Sequence, residues 1–119
     1  GVIEAATNEK KFVIGVDSDQ SLTATDEQRP YILTSMLKRL DVATYNTIKA
    51  FVEGTYKGGY QVFGLVDDGV AYAVNEYNQD LISDIELQLD ELKAQVVKGK
   101  IIVPIDKKEY EEFLKALPK

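Results

Sequence analysis

Cysteine and histidine are both absent from the 119-residue sequence. Without cysteine there is no disulfide framework, no thiol nucleophile and no thiolate metal site, and the chain is compatible with any redox compartment. Without histidine the Ser-His-Asp and Cys-His nucleophiles are closed off, together with His-ligated zinc. Most hydrolytic chemistry goes with them. No apolar run approaches the roughly 18 residues of a membrane span, and the first residues do not have the pattern of a signal peptide. An excess of positive charge is missing too. The formal net charge is −6, and the Lys and Arg residues are dispersed, whereas non-specific nucleic-acid binding needs a concentrated basic face to displace counterions from phosphates. No metal, cofactor or nucleic acid is expected.

What is present alternates between strand-like and helix-like patterns, which makes an α/β chain of the size of one modest domain. Residues 1–8 carry apolar side chains at 2, 3 and 6 and read as the end of a helix, so the chain is expected to be a fragment cut inside or just before one. The run Phe12-Val13-Ile14-Gly15-Val16 is β-branched and aromatic, and reads as a strand buried on both faces that closes on Asp17. Residues 18–30 are a polar loop. Residues 31–37 form a second strand, with Pro30 placed where its ring removes only one ladder donor, and Lys38 and Arg39 end it. Asp41 opens a helix with Val42, Tyr45, Ile48 and Val52 on one face, and Gly58-Gly59 stops the chain. Residues 61–66 read as a third strand, Asp67-Asp68-Gly69 as a turn, and 70–74 as a weaker fourth strand. The spacing Ser83-Asp84-Ile85-Glu86 is a capping box, and Ile85, Leu89, Leu92 and Val96 carry a helix over about 84–98. A short strand over 100–104 and a last helix capped by Asp106, through Tyr110, Phe113, Leu114 and Leu117, complete the order.

The site question starts at Asp17. In an open α/β sheet the carboxyl ends of the strands are where ligands bind, because the loops leaving neighbouring strands part there. Asp17 and Asp19 project the same way if strand geometry continues, since residues two apart share a face. A calcium loop starting at Asp17 is ruled out, because Leu22 occupies the glycine position and Gln28 the bidentate glutamate position. A receiver-like phosphoacceptor site would use Asp17 with Thr34 or Ser35 and Lys38. A ligand crevice requires less: carboxylates to accept from sugar hydroxyls and an ammonium to donate to the same ligand. The plain structural alternative makes both carboxylates loop caps on solvent and Lys38 a charge that blunts a sheet edge. Thr34 and Ser35 read as packing and local hydrogen bonding, because no general base can activate them. Gly64 is either a bulge or a point where a ligand approaches the backbone. Tyr45, Tyr56, Tyr60 and Tyr72 read as core or boundary residues rather than stacking platforms.

With these residues laid out, the chain resembles the carboxyl-terminal part of the basic membrane protein family of ABC-transporter substrate-binding lipoproteins, whose member type is the purine nucleoside receptor. The resemblance is carried by Gly1-Val-Ile-Glu-Ala-Ala6, Val13-Ile-Gly-Val-Asp-Ser-Asp-Gln20, Leu33-Thr-Ser-Met-Leu-Lys-Arg39 and Gly99-Lys-Ile-Ile-Val-Pro104, in family order. It implies part of a type I periplasmic-binding-protein fold, an open, mainly parallel sheet with flanking helices. Residues 1–104 would belong to a two-lobe protein, divided between its lobes, and residues 105–119 to a terminal helical extension. It also implies a non-enzymatic role in uptake: a nucleoside, most often a purine, held between the lobes and delivered to an ABC permease. Asp17 would accept from ribose hydroxyls, Lys38 would donate from the hinge side, and Gly64 would offer backbone contact; no catalytic residue is implied. The expected location is the outer face of the bacterial cell membrane, through an upstream lipid anchor, or the periplasm. The alternative that the residues leave open is a small receiver-like signalling domain with Asp17 as phosphoacceptor.

Overall fold

In the computed structural model, which describes residues 1–116, three short strands form one mixed sheet in the order β1 (Val13–Asp17), β2 (Ile32–Lys38), β3 (Val70–Tyr72). Leu117, the last apolar position of the final predicted helix, lies outside the described residues. The chain divides into two compact units, Gly1–Ile85 and a second that begins at Glu86.

In the first unit β1 and β2 run parallel, with Ile14 opposite Thr34, Gly15 opposite Ser35 and Asp17 opposite Leu37. Their connection is a loop with two 3-10 turns, Gln20–Leu22 and Arg29–Tyr31, and no helical crossover. β3 then pairs antiparallel with the other edge of β2, setting Tyr72 opposite Met36 and Val70 opposite Lys38. One face of this sheet is closed. Gly15, Ile32, Ser35 and Ala73 are buried on or beside it, with Ile82 completing the apolar centre.

The expectation that β1 is buried on both faces is corrected here. Ile14 and Val16 are 58% and 47% exposed, because β1 is an edge strand and residues 1–85 place no layer over its second face. The proposed strand at 61–66 is also absent. Both edges of β2 are already taken by β1 and β3, and the Gly64 carbonyl instead accepts from the amides of Asp67 and Gly69, winding the segment into a 3-10 turn at Leu65–Asp67.

α1 (Val2–Asn8) ends near the expected residue, where Lys10 takes a positive φ of 52°. α2 (Leu40–Val52) follows β2 at once and carries Asp41 in its first turn, where the helix dipole favours a carboxylate. It stops earlier than Gly58-Gly59 implied, at Gly54, whose φ of 69° suits a residue without a Cβ. Its predicted apolar face is largely uncovered: Tyr45, Ile48 and Val52 are exposed, while Val42, Ala43, Asn46, Thr47 and Ala50 are half-buried. A short α3 (Gln79–Ile82) buries Ile82 and ends the first unit's regular structure.

The second unit holds α4 (Glu86–Val97) and α5 (Lys107–Ala116). α5 starts as the sequence implies, with Asp106 Oδ1 accepting from the Glu109 amide at 2.8 Å. Residues 100–104 form no strand, because the described residues of this unit contain no other strand with which to pair.

Candidate functional site

β1 and β2 end side by side, so the sheet brings the two charged residues at their carboxyl ends together. Lys38 Nζ lies 2.7 Å from Asp17 Oδ1, and the two side chains remain 57% and 65% exposed. An ion pair this exposed contributes little to stability, roughly 0–1 kcal/mol. Its exposure leaves both partners accessible to a ligand, the carboxylate as acceptor and the ammonium as donor.

Asp17 has a second distinguishing feature, a φ of 77°. Residues other than glycine are uncommon in this region, Asn and Asp entering it most readily, and holding one there costs on the order of 1–3 kcal/mol. The positive φ ends strand geometry at Asp17. Asp17 and Asp19 therefore do not point together as expected. Asp19 turns inward, accepting from the Ser21 amide at 3.1 Å, from Ser21 Oγ at 2.7 Å and from Asn75 Nδ2 at 2.6 Å.

That inward carboxylate belongs to a polar network joining three segments. Asn75 Nδ2 also donates to Ser21 Oγ at 2.8 Å, and the Asn75 amide donates to Asn78 Oδ1 at 2.8 Å. Asn78 Nδ2 donates to the carbonyls of Leu33 and Ala73, at 3.0 and 2.8 Å. Arg29 Nε donates to the Ser21 carbonyl at 2.9 Å, while its guanidinium pairs with Asp26 and lies over the Tyr77 ring. Ser21 and Asn78 are buried, and among the described residues every buried side-chain polar atom has a partner. Burial makes the network stiff at Ser21 and Asn78, since a bond broken there leaves a desolvated group unpaired.

Thr34 and Ser35 serve structure, as the sequence implies. Thr34 Oγ1 donates to the Ala73 carbonyl at 2.7 Å. The buried Ser35 Oγ accepts from the Gln20 amide at 3.1 Å, and Gln20 Nε2 donates to the Val16 carbonyl at 3.0 Å. Gly64 is not gathered with Asp17 and Lys38. It precedes the 3-10 turn at Leu65–Asp67, its amide faces Asp67 Oδ2 at 3.4 Å, and a Cβ added to it would meet nothing within 4 Å. Glycines that do pack closely are Gly15, where a Cβ would lie 2.5 Å from Ser35 Oγ, and Gly69, where it would lie 2.5 Å from Phe63 Cβ.

A separate cavity of about 630 Å³ in the second unit is lined by Ile101, Ile102, Pro104 and Phe113 with Lys100, Glu109 and Glu112, and includes none of these residues. Among the described residues, no helix is long and apolar enough to cross a membrane and no group of three or more His, Cys, Asp or Glu is placed to hold a metal ion.

An α/β sheet whose parallel strands end together in an accessible carboxylate and ammonium has the form of an open-sheet ligand-binding protein. The chain belongs to the Bmp family, described as ABC transporter substrate-binding protein PnrA-like, whose model matches residues 1–107. Basic membrane protein D of Borreliella burgdorferi is 34% identical over 118 residues, covering 96% of this chain and 33% of that protein. A CD4+ T-cell-stimulating antigen of Listeria monocytogenes is 33% identical over 117 residues, covering 87% of this chain and 32% of its own length. The chain thus spans about one third of the curated relatives it matches. A crystal structure of an ABC transporter system solute-binding protein from Aeropyrum pernix K1 aligns with a TM-score of 0.54 at 27% identity, over 96% of this chain and 39% of that one. The fold is accordingly part of a type I periplasmic-binding-protein-like α/β fold.

Proposed function

We propose that this chain forms part of a substrate-binding subunit that takes up nucleosides for an ABC importer, with Asp17 and Lys38 contacting the ribose. The observation that carries the reading is the exposed pair at 2.7 Å on the carboxyl edge of β1 and β2. A ribose offers hydroxyls that donate to a carboxylate and oxygens that accept from an ammonium, so one ligand can replace the ion pair with charge-assisted bonds to both partners. Gly64, with open space around it, is the candidate for backbone contact. No bond is made or broken in this function. The ligand is enclosed by closure of two lobes and presented to a permease outside the cytoplasmic membrane, with residues 1–104 contributing to the lobes and 105–119 extending beyond them. The phosphoacceptor alternative is weakened by the hydroxyls it needs: Thr34 and Ser35 are engaged with the Ala73 carbonyl and the Gln20 amide.

The test is calorimetric titration of inosine, adenosine, guanosine and cytidine into the full-length gene product, its Asp17→Ala variant and the 119-residue chain. Binding by the full-length protein should weaken at least about a hundredfold in Asp17→Ala, the equivalent of losing charged hydrogen bonds of roughly 1.5–3 kcal/mol each. The 119-residue chain should bind weakly or not at all, since it lacks the opposing surface that buries a small ligand. Equal affinity in Asp17→Ala would remove Asp17 from the site. Failure of the full-length protein to bind any of the four would remove the nucleoside.

A further inference from the structure

We propose that Asp19 and Asn75 are positioning residues for Asp17, holding its backbone at positive φ so that the carboxylate stays beside Lys38. This rests on the reading of Asp17 as a ligand-binding residue, but it is argued from a different set of contacts.

The Asp17–Lys38 ion pair is more than half exposed on both sides, too weakly coupled to impose an unfavourable backbone conformation on its own. The φ of 77° at Asp17 persists only if its surroundings over-determine it. Two sets of bonds do so from either side. Upstream, the Val16 carbonyl is held by Gln20 Nε2, and Gln20 itself, three residues after Asp17, is pinned through its amide to the buried Ser35 Oγ. Downstream, Asp19 is clamped by the Ser21 amide, Ser21 Oγ and Asn75 Nδ2.

Of these bonds, the one from Asn75 is the anchor to a remote part of the chain. Its residue numbers differ by 56, and Asn75 is itself fixed through its amide to the buried Asn78, which is bonded to the carbonyls of Leu33 and Ala73. The turn after β1 is thereby tied to the start of β2 and to the residue that follows β3. Release of that tie frees Asp17, whose neighbour Asp19 already sits at a φ of −67°, to return to a negative φ, which swings the Asp17 carboxylate away from Lys38. The same tie sets the direction of an acceptor relative to a donor on the adjacent strand, which is what a ligand spanning both requires.

The test uses NMR on the 119-residue chain, so no nucleoside enters it and a failure of the nucleoside reading leaves its outcome intact. A residue at positive φ has a short amide–Hα distance, and Asp17 should show a strong intraresidue amide–Hα cross-peak in the parent. Asn75→Asp, which turns the donor into a second carboxylate facing Asp19, should lose that intensity. It should also abolish the change in Asp17 carboxyl shift that Lys38→Met produces in the parent background. The exchanged pair Asp19→Asn with Asn75→Asp restores a donor facing an acceptor and should recover both signals. If Asn75→Asp does not fold, Asn75→Ser, which shortens the donor without adding charge, takes its place and is paired with the parent in the same two readings. A merely structural role would lower the melting temperature and leave the Asp17 signals unchanged in the folded variant. That result would overturn the proposal, as would a weak Asp17 cross-peak in the parent or an exchanged pair that folds without recovering it.

Discussion

At Gly15 the fit between β1 and β2 depends on the absence of a side chain. An added Cβ would lie 2.5 Å from Ser35 Oγ and 3.2 Å from Gln20 Cβ and Cγ, and Ser35 has no room to retreat because it is buried and bonded to the Gln20 amide. Gly15→Ala should lower the free energy of unfolding by about 1–3 kcal/mol, the usual cost of overpacking, as read from urea denaturation. A change below about 0.5 kcal/mol would show that the contact relaxes freely. Another residue-level prediction concerns Asp41. Its carboxylate accepts from Arg39 Nε at 3.0 Å and from Arg39 Nη2 at 2.7 Å, and these bonds are the main reason its pKa falls from the ordinary 3.8 to about 2. Because the folded value is the lower one, this pairing stabilises the fold above about pH 3.8 and its contribution is lost as the pH falls toward 2. A carboxyl-detected NMR titration should place the Asp41 midpoint near 2 in the parent and move it upward in Arg39→Gln. An unmoved midpoint would dismiss Arg39 as the cause. Asp17 and Lys38 were legible in the sequence because each marks an abrupt change from an apolar run to charge, and strand ends in parallel neighbours meet. The role of Asp19 was not legible. Its anchor is Asn75, 56 positions away, and nothing local to either residue marks the partnership. Gly64 and Gly15 likewise look alike in sequence, each a glycine in an apolar run, and only the register that sets Gly15 opposite Ser35 separates them.

At the level of elements, those with a partner inside the first unit form as their patterns imply, and those without one differ. β1, β2 and the start of β3 follow from runs of β-branched residues, because each finds a ladder. The apolar runs at 61–66 and 100–104 have strand composition but form no ladder, the first winding into the turn at Leu65–Asp67 and the second having no strand in its own unit to pair with, so composition alone misled. α2 is the instructive intermediate. Its helical period is real although it ends at Val52, short of Gly58-Gly59, yet Tyr45, Ile48, Phe51 and Val52 are 66%, 59%, 73% and 78% exposed, so the helix forms without its stripe being covered. Most helical stability in proteins comes from packing an apolar face rather than from propensity. The amides in the second half of α2 should therefore exchange with deuterium well before those of β2, whose Ile32 and Ser35 are buried. Slow exchange across the whole of α2 in the 119-residue chain would mean that something covers the stripe.

The whole molecule raises the question of where its unmatched apolar surface goes. Among the described residues of the first unit, the fully enclosed apolar side chains are Ile32, Ala73 and Ile82, a small centre for 85 residues. Against it stand Phe12, Ile14 and Val16 on and beside the open edge of β1, with exposures of 62%, 58% and 47%. The relatives are about three times as long as this chain, and in a two-lobe receptor the remaining two thirds would supply the missing layer. In the 119-residue chain, a second copy can meet the same surface. An edge strand with unpaired amides and carbonyls, carrying β-branched side chains and no charge between Phe12 and Val16, is a template for pairing with a second chain. Sedimentation velocity of the isolated chain should show self-association that grows with concentration. Val16→Lys, which places an ammonium on the exposed face of that edge, should suppress it without disturbing the buried Gly15–Ser35 side. If the parent stays monomeric at every concentration, the edge is protected within the chain itself. If Val16→Lys associates as strongly as the parent, the contact lies elsewhere, and the exposed stripe of α2 is the next surface to substitute.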